Sequence, residues 1–173
     1  MPVIGLCVYL VVLALQRGVE LWHAAHNERR LAAAGAVPHG DAHYPWIVLL
    51  HVLSPVSLIV EVVGLSARPD HLWPGWLTVW LLAQALRYWA VVTLGERWTA
   101  RIWVLPSAPL VRRGPYRWLA HPNYVAVIAE FVAAPMMFGA WRTAVLFSVL
   151  NAWALTIRIR TERRALATAA HRE

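Results

Sequence analysis

Long apolar runs are the feature that most constrains what this chain can fold into. Five predominantly apolar stretches approach the length of about twenty residues that a helix needs to cross a bilayer. They lie at roughly residues 2–21, 44–66, 75–94, 122–139 and 141–159. A soluble domain of 173 residues rarely contains several such runs. The sequence therefore predicts an all-α integral membrane protein, a bundle of about five transmembrane helices in a single domain over residues 1–173.

Arginine placement predicts how the chain is oriented. All 16 basic residues are arginines, and most lie in two long polar connections, residues 22–43 and 95–121, or in the C-terminal tail. The two short connections hold only Arg68 and Arg142. Because positively charged loops stay in the cytoplasm, we expect the N-terminus outside and the C-terminus in the cytoplasm. The net charge of +7 is thus a topology signal and does not indicate a nucleic-acid partner.

An unusually polar and turn-rich stretch, GPYRWLAHPNY (residues 114–124), stands immediately before the fourth apolar run. Pro122 suits the first turn of a helix, and it keeps the preceding His121 out of the helical region. His121 therefore marks the junction at which this run enters the membrane from the cytoplasm. The free backbone amides of Asn123 and its successors, together with the helix dipole, favour an anion at that junction.

The fifth run returns to the same side of the membrane. The short link around Gly139 predicts that runs four and five are antiparallel neighbours, so RIRTERRAL (158–166) should face His121. Arg158 and Glu162 are four residues apart, on one helix face. Such a couplet can hold a zwitterionic ligand, with the arginine on a carboxylate and the glutamate on hydroxyls or an amine. An ordinary helical salt bridge is the alternative, and that spacing alone more often produces one.

Four polar residues fall at a similar depth in the predicted bundle. A rise of about 1.5 Å per residue places His51, Arg87, Glu130 and Asn151 roughly 10–14 Å from the cytosolic helix ends. Ionisable groups inside membrane spans are costly, and they are usually paired or functional. In one hypothesis this layer holds a substrate head group, with Glu130 or His51 as the proton acceptor. In the other, weighed equally, Arg87 and Glu130 form a structural ion pair.

The other polar residues give weaker signals. The histidines of the first polar connection lack the cysteines or the HExxH frame of a zinc site, so no metal is predicted. Among them, His43 is the candidate for substrate contact. Glu61 and Asp70 fall near the outer ends of the runs, where we expect solvated carboxylates.

Two motifs in order carry a family resemblance. LGERWTARIWVLPSAPLVRRGPYRWLAHPNY (94–124), followed by a hydrophobic hairpin and RIRTERRAL (158–166), resembles the isoprenylcysteine carboxyl methyltransferase family of membrane methyltransferases. The similarity covers roughly residues 75–166, with a catalytic region at 94–166. The front third, with ELWHAAHNERRLAAAGA and AHYPWIVLLH, is more similar to a bacterial branch linked to type III polyketide synthases. Members of that branch methylate alkylresorcinols or alkylpyrones.

The resemblance implies a cofactor and its site. S-adenosylmethionine (SAM) would bind at the cytosolic ends of the last two spans and leave as S-adenosylhomocysteine, without a metal. Carried over by position, its contacts are Arg101, Ala108, Pro109, Leu110, Val111, Tyr116, His121, Pro122, Asn123, Tyr124 and Glu162. Arg158 would act catalytically on the substrate side. Arg87, Asn151 and His43 complete the predicted substrate contacts.

Two positions depart from the family pattern. Ala120 stands where an arginine commonly precedes His-Pro, and Arg117 is its candidate replacement. Arg163 stands where a second glutamate often follows the first. No two glycines are spaced G-x-G, so a nucleotide pocket here must use helix ends and loops.

The resemblance implies O-methylation of a phenolic or pyrone lipid that is drawn from a bacterial plasma membrane, with a lipid-producing synthase as a candidate partner. Carboxyl methylation of a prenylated cysteine or another lipid acid is the first alternative, and methylation of a phospholipid amine is the next. A phenol, with a reference pKa of about 10, would need a general base, whereas a carboxylate would not. A non-enzymatic membrane adaptor or permease subunit, whose arginines only set topology, is the alternative from another class.

Overall fold

A computed structural model describes residues 2–40, 42–105 and 108–170. The described chain is mainly helical: α1 (Pro2–Ala33), α2 (Tyr44–Ile59), α3 (Trp73–Leu94), α4 (Pro122–Met136) and α5 (Trp141–Ala170). A π-helical turn (Val60–Gly64) continues α2, and 3₁₀ turns lie at Gly95–Arg97 and Gly114–Arg117. Two short strands, β1 (Val37–His39) and β2 (Ile102–Val104), pair antiparallel with Val37 opposite Val104.

Within the described residues, three helices are long and apolar enough to cross a membrane: Val3–Ala33, Tyr44–Gly64 and Trp73–Arg97. They correspond to the first three predicted runs and support a helical membrane protein. α4 has 15 residues, fewer than the about twenty of a typical span, and the C-terminal half of α5 is charged. The predicted count of five spans therefore stays a prediction.

The first polar connection is shorter than predicted, because α1 continues to Ala33 instead of ending near residue 21. Residues 22–33 are rich in strong helix formers such as alanine, arginine and leucine. Asn27, which is buried, donates from its side chain to the carbonyls of Gly95 and Trp98, at 3.1 and 2.8 Å. Gly35, with φ of 85°, follows the helix end. α5 likewise extends beyond the predicted residue 159, to Ala170.

The two strands were not predicted, since three residues are too few to display the alternation of a strand. β1 belongs to the connection after α1, and β2 belongs to the connection between α3 and α4. Their pairing joins the two long polar connections, and buried Ile102 and Val104 pack with Ala165 of α5. The small sheet thus covers the end of the bundle at which α3 ends and α4 begins.

α4 and α5 are antiparallel neighbours, as predicted from the short link between them. Gly139 makes the turn with φ of 72°, and a Cβ atom there would overlap the Arg68 carbonyl. Small residues that are almost fully buried, Ala126, Ala133 and Ala140, allow close helix approach. The hairpin therefore brings the start of α4 beside the second half of α5.

Glu61 is not solvated as expected, because only 3% of it is exposed. Its carboxylate accepts hydrogen bonds from the Thr143 amide and hydroxyl, both at 2.7 Å, and from the Arg142 amide at 3.1 Å. The first amides of a helix have no partner within the helix, and the dipole favours a negative charge there. A side chain of the π-helical turn thus caps the start of α5.

Replacing Glu61 with alanine should lower the free energy of unfolding by about 1–2 kcal/mol, because α5 loses its cap. Thermal unfolding in detergent micelles, followed by circular dichroism, measures the change. Asp70→Ala is the control, since exposed Asp70 accepts one hydrogen bond, from the Leu72 amide at 2.9 Å. Equal losses in the two variants would contradict the capping role.

Candidate functional site

A cavity of about 440 Å³ lies where the start of α4, the second half of α5 and the connection between α3 and α4 meet. This volume is within the range of small-molecule sites. The residues that line it include nearly all of the predicted ligand contacts: Arg101, Ala108, Pro109, Leu110, Val111, Tyr116, His121, Asn123, Tyr124, Arg158 and Glu162. Pro122 does not line the cavity but is buried at the first position of α4. The structure therefore gathers the predicted set in one place.

The junction before α4 has the conformation that the sequence predicts. His121 is outside the helical region, with φ of −136° and ψ of 65°, and α4 begins at Pro122. The Asn123 side-chain oxygen and the Trp103 indole nitrogen are buried and have no hydrogen-bond partner among the described residues. Both residues line the cavity. Because unpaired buried polar atoms are costly, these two atoms favour a polar ligand in the cavity.

The Tyr124 hydroxyl stands between the two members of the predicted couplet. It accepts a hydrogen bond from Arg158 Nε at 2.8 Å and donates one to Glu162 Oε2 at 2.6 Å. Arg158 Nη2 also donates to the Ala100 carbonyl, at 2.8 Å. Within the described side chains Arg158 and Glu162 form no direct ion pair. The arrangement thus differs from an ordinary helical salt bridge, and it leaves both side chains at the cavity wall.

Glu162 is surrounded by groups that can donate to it. His121 Nδ1 lies 3.8 Å from Glu162 Oε2, and the His121 ring stacks on Tyr124 with centroids 4.9 Å apart. Burial, and then the Glu162 charge, raise the pKa of Tyr116 to about 12, so this phenol stays protonated. Glu162 can therefore bind an amine or hydroxyl of a ligand while its neighbours hold its orientation.

Helices α1 and α2 contact the wall of the cavity that contains Arg101. The Arg101 guanidinium lies 5.1 Å from the Tyr44 ring centroid, and the Arg101 amide donates to Glu28 Oε1 at 3.3 Å. Arg97 Nη1 donates to the Pro109 carbonyl at 2.6 Å. The position of Arg101 is thus fixed by α1 and α2, and that of Arg97 by the loop that also lines the cavity.

The two departures from the family pattern fall at the same site. Ala120 and Arg163 line the cavity, whereas Arg117 does not and lies over the Trp118 ring at 5.9 Å. Arg117 is therefore not positioned to replace an arginine at residue 120. Over residues 2–40, 42–105 and 108–170, the structure contains no group of three or more His, Cys, Asp and Glu side chains that could hold a metal ion.

Glu130 and Arg87 form the ion pair that was one of the two hypotheses. Glu130 accepts from Arg87 Nε at 2.7 Å and Nη2 at 2.5 Å, and both residues are buried. Arg17 Nη2 and Gln84 Nε2 add hydrogen bonds to the same carboxylate, at 2.8 and 2.9 Å. Sequence reasoning assigned Arg17 no site role and overlooked Gln84. The polar pairs Arg17 with Glu20 and Gln84 with Arg87, each three apart on an apolar helix, were the available signal.

His51 and Glu130 line a second cavity of about 40 Å³, together with Tyr9, Arg17 and Ser54. His51 Nδ1 lies 2.8 Å from the Ile47 carbonyl, which can only accept, so Nδ1 carries the proton and Nε2 is an acceptor. Within the described chain the two cavities share no lining residue. Glu130 lies six residues beyond Tyr124, about 9 Å along α4. The structure therefore does not bring His51 or Glu130 beside Arg158.

The other predicted substrate contacts lie apart from both cavities of the described chain. Asn151 is buried on α5, and its side-chain nitrogen has no partner among the described residues. Arg87 faces Glu130. His43 stands at the start of α2 against Gly40, where a Cβ atom would overlap the His43 ring. A substrate role for these three residues stays a prediction.

Comparison with known proteins identifies the family. Residues 76–168 match the isoprenylcysteine carboxyl methyltransferase (ICMT) family, and every residue that lines the larger cavity except Leu31 lies within that range. This chain belongs to the ICMT family. The family consists of methyltransferases, and its methyltransferases use SAM.

Two relatives of this ICMT-family chain align over most of its length. It is 41% identical over 157 residues to the uncharacterized protein YpbQ of Bacillus subtilis (strain 168), covering 91% of this chain and 94% of that protein. It is 24% identical over 159 residues to an uncharacterized protein of Haemophilus influenzae, covering 91% and 92%. No solved structure matches the chain.

Glu130→Gln distinguishes the two hypotheses for the buried layer. We expect it to lower the free energy of unfolding by about 3–5 kcal/mol, because buried Arg87 would lose its main carboxylate and keep only the contact to Glu20 Oε2 at 3.7 Å. His51→Ala should cost less, since the His51 ring makes no ion pair in the described chain. Thermal unfolding in micelles measures both. A Glu130→Gln protein of unchanged stability that has lost turnover would instead support a role for Glu130 as proton acceptor.

Proposed function

We propose that this chain is a SAM-dependent methyltransferase that acts on a lipophilic acceptor from the bilayer. The observation that best supports this function is the 440 Å³ cavity between the start of α4 and the second half of α5, within the part of the chain that matches the family. The hydrogen-bond donors and acceptors that line it suit the zwitterionic and hydroxyl groups of SAM. The Tyr124 and Val125 amides donate to the His121 carbonyl, at 3.1 and 3.3 Å, so the Asn123 amide and the helix dipole are what favour a carboxylate at the start of α4. Glu162 takes an ammonium or hydroxyls, and Trp103 and Asn123 offer an unpaired donor and acceptor.

When bound, SAM supplies a methyl group on a sulfonium, and a neutral thioether is left. The chain must hold acceptor and donor about 3–3.5 Å apart and in line, and it must exclude water. Buried Trp98, Ile102 and Val104 line the cavity and provide an apolar cover. No side chain has to act as a nucleophile.

The preferred acceptor is the hydroxyl of a phenolic or pyrone lipid. Such a hydroxyl must lose its proton, and Glu130 or His51 is the proposed proton acceptor, because Glu162 is engaged with SAM in this proposal. Arg158, which Tyr124 and Ala100 orient, would stabilise the phenolate. A proton bound for Glu130 would have to travel about 9 Å along α4, since Glu130 lies six residues beyond Tyr124.

Carboxyl methylation of a prenylated cysteine or another lipid acid is the second candidate. The Arg158 guanidinium at the cavity wall favours it, since an arginine binds a carboxylate well and an ionised carboxylate needs no base. Methylation of a phospholipid amine has no comparable observation in its favour.

The proposed setting is the bacterial plasma membrane, with five spans, the N-terminus outside and SAM entering from the cytoplasm. The clustering of arginines in the two long connections and the tail supports this orientation. The acceptor would arrive sideways from the bilayer, supplied by a synthase that makes long-chain phenols or pyrones. The front third of the sequence supports that branch.

Calorimetry and thermal shift with SAM and S-adenosylhomocysteine test the cofactor. We expect both compounds to bind and stabilise the wild-type protein, and Glu162→Gln to weaken binding about ten-fold or more, because a charged hydrogen bond is lost. Glu96→Gln is the matched control, since exposed Glu96 pairs with Arg30 and does not line the cavity. A membrane adaptor would show neither binding nor stabilisation.

Transfer of a radiolabelled methyl group tests the acceptor. We expect a long-chain alkylresorcinol to be methylated and S-farnesyl cysteine not to be. Tyr124→Phe should lower kcat/KM for the resorcinol about ten-fold or more, because it removes the hydroxyl that joins Arg158 to Glu162. Tyr88→Phe is the control, since half-exposed Tyr88 lies on α3 away from the cavity. Methylation of the farnesyl cysteine alone would select carboxyl methylation instead.

A further inference from the structure

Residues 111–121 have two faces with different surroundings. One face lines the 440 Å³ cavity, through Val111, Tyr116 and His121 among others. The opposite face is exposed and does not line that cavity, and it carries Arg113, Arg117, Trp118 and Leu119. Whatever binds the exposed face therefore acts on a wall of the cavity.

The exposed face continues the outer surface of α3. Trp118 is 68% exposed, and its ring centroid lies 5.9 Å from that of Trp89. Trp89 and Val92 project outward near the cytosolic end of α3, a helix that is long and apolar enough to span a membrane. Tryptophan prefers the boundary between acyl chains and head groups. Trp118 and Leu119 thus lie where α3 would leave the bilayer.

Arg113 and Arg117 lack acidic partners. Neither forms an ion pair with any described carboxylate, and both are exposed. The Arg117 guanidinium lies 5.9 Å from the Trp118 ring centroid, so charge and aromatic surface are side by side. The planar guanidinium matches the oxygens of a phosphate group. The face therefore offers uncompensated positive charge at the level of lipid head groups.

The segment that carries the exposed face packs closely against α3. Gly114 has φ of 54°, and a Cβ atom there would overlap the Thr93 side chain of α3. The 3₁₀ turn Gly114–Arg117 packs on α3 through this close approach. Because the turn packs closely on α3, Arg113 and Arg117 lie at a fixed depth relative to the membrane surface.

We propose that Arg113, Arg117 and Trp118 form a docking site for the phosphate groups of anionic phospholipids in the leaflet at the cytosolic end of α3. Positive charge, an interfacial tryptophan and continuity with the lipid-facing surface of α3 all favour this occupant over a protein partner. The bound lipid holds residues 111–121 in the conformation that the cavity needs. This second part rests on the proposed function, whereas the docking itself does not.

The first test measures lipid contact in vesicles that contain the full chain. Brominated phosphatidylglycerol or brominated phosphatidylcholine quenches nearby tryptophans, and the difference between wild type and Trp118→Phe isolates Trp118. We expect phosphatidylglycerol to quench Trp118 more strongly, with a preference of roughly five-fold for each arginine. Arg113→Gln with Arg117→Gln should abolish this preference.

Two matched variants complete the first test. Arg113→Lys with Arg117→Lys keeps the charge and should keep most of the preference. Arg160→Gln with Arg164→Gln removes two exposed arginines from α5 and should leave it intact. Equal quenching of Trp118 by the two lipids, or a preference that survives in the double glutamine variant, overturns the docking site. Self-association through this face would give that equal quenching.

The second test measures the affinity for S-adenosylhomocysteine in vesicles with and without phosphatidylglycerol. We expect several-fold weaker binding without the anionic lipid in the wild-type protein, and no lipid dependence in the double glutamine variant. Equal affinity in both vesicles, with the quenching preference intact, overturns the effect on the cavity alone. Absence of any S-adenosylhomocysteine binding would count against the proposed function, and the quenching result would still decide the docking site.

Discussion

The carboxylate of Glu130 is the interaction on which the arrangement of the helices depends. It accepts hydrogen bonds from Arg17 of α1 and from Gln84 and Arg87 of α3. Only 11% of the most apolar part of α1 is buried, so α1 packs weakly against the other helices. Polar contacts therefore contribute much of what holds α1 to the bundle. In a bilayer no water is available to replace such partners, and the contacts become obligatory. The helices therefore meet at one depth and in one orientation.

The 440 Å³ cavity is built partly on α5, which is held at its first turn and near its middle. Glu61 caps its first turn, and the Tyr124 hydroxyl and the Ala100 carbonyl hold Arg158. Groups on rigid elements keep their separation, so the distance from the His121 junction to Glu162 is set by the hairpin and not by the loops. The loops then supply the cover and the remaining contacts.

The sequence was most informative where a residue has a strong local preference. Pro122 and the short link at Gly139 predicted the junction and the hairpin, because both act through backbone geometry within a few residues. Counting residues from the helix ends identified Glu130 and Arg87 as buried but did not identify Arg17, because the partner of a buried charge depends on how distant helices pack. Glu61 was misjudged for the same reason. Its capping of Thr143 joins residues 82 positions apart, and no local pattern encodes that contact.

One wall of the 440 Å³ cavity depends on parts of the chain that the family match does not include. The match begins at residue 76, yet Asn27 and Glu28 of α1 and Tyr44 of α2 hold the loop that carries Arg97 and Arg101. The residues that line this cavity thus belong to the matched part except for Leu31, while the rest of α1 and α2 contact that part from outside. Substitutions in α1 or α2 can therefore shift the loop that carries Arg97 and Arg101 without changing any residue of the matched region.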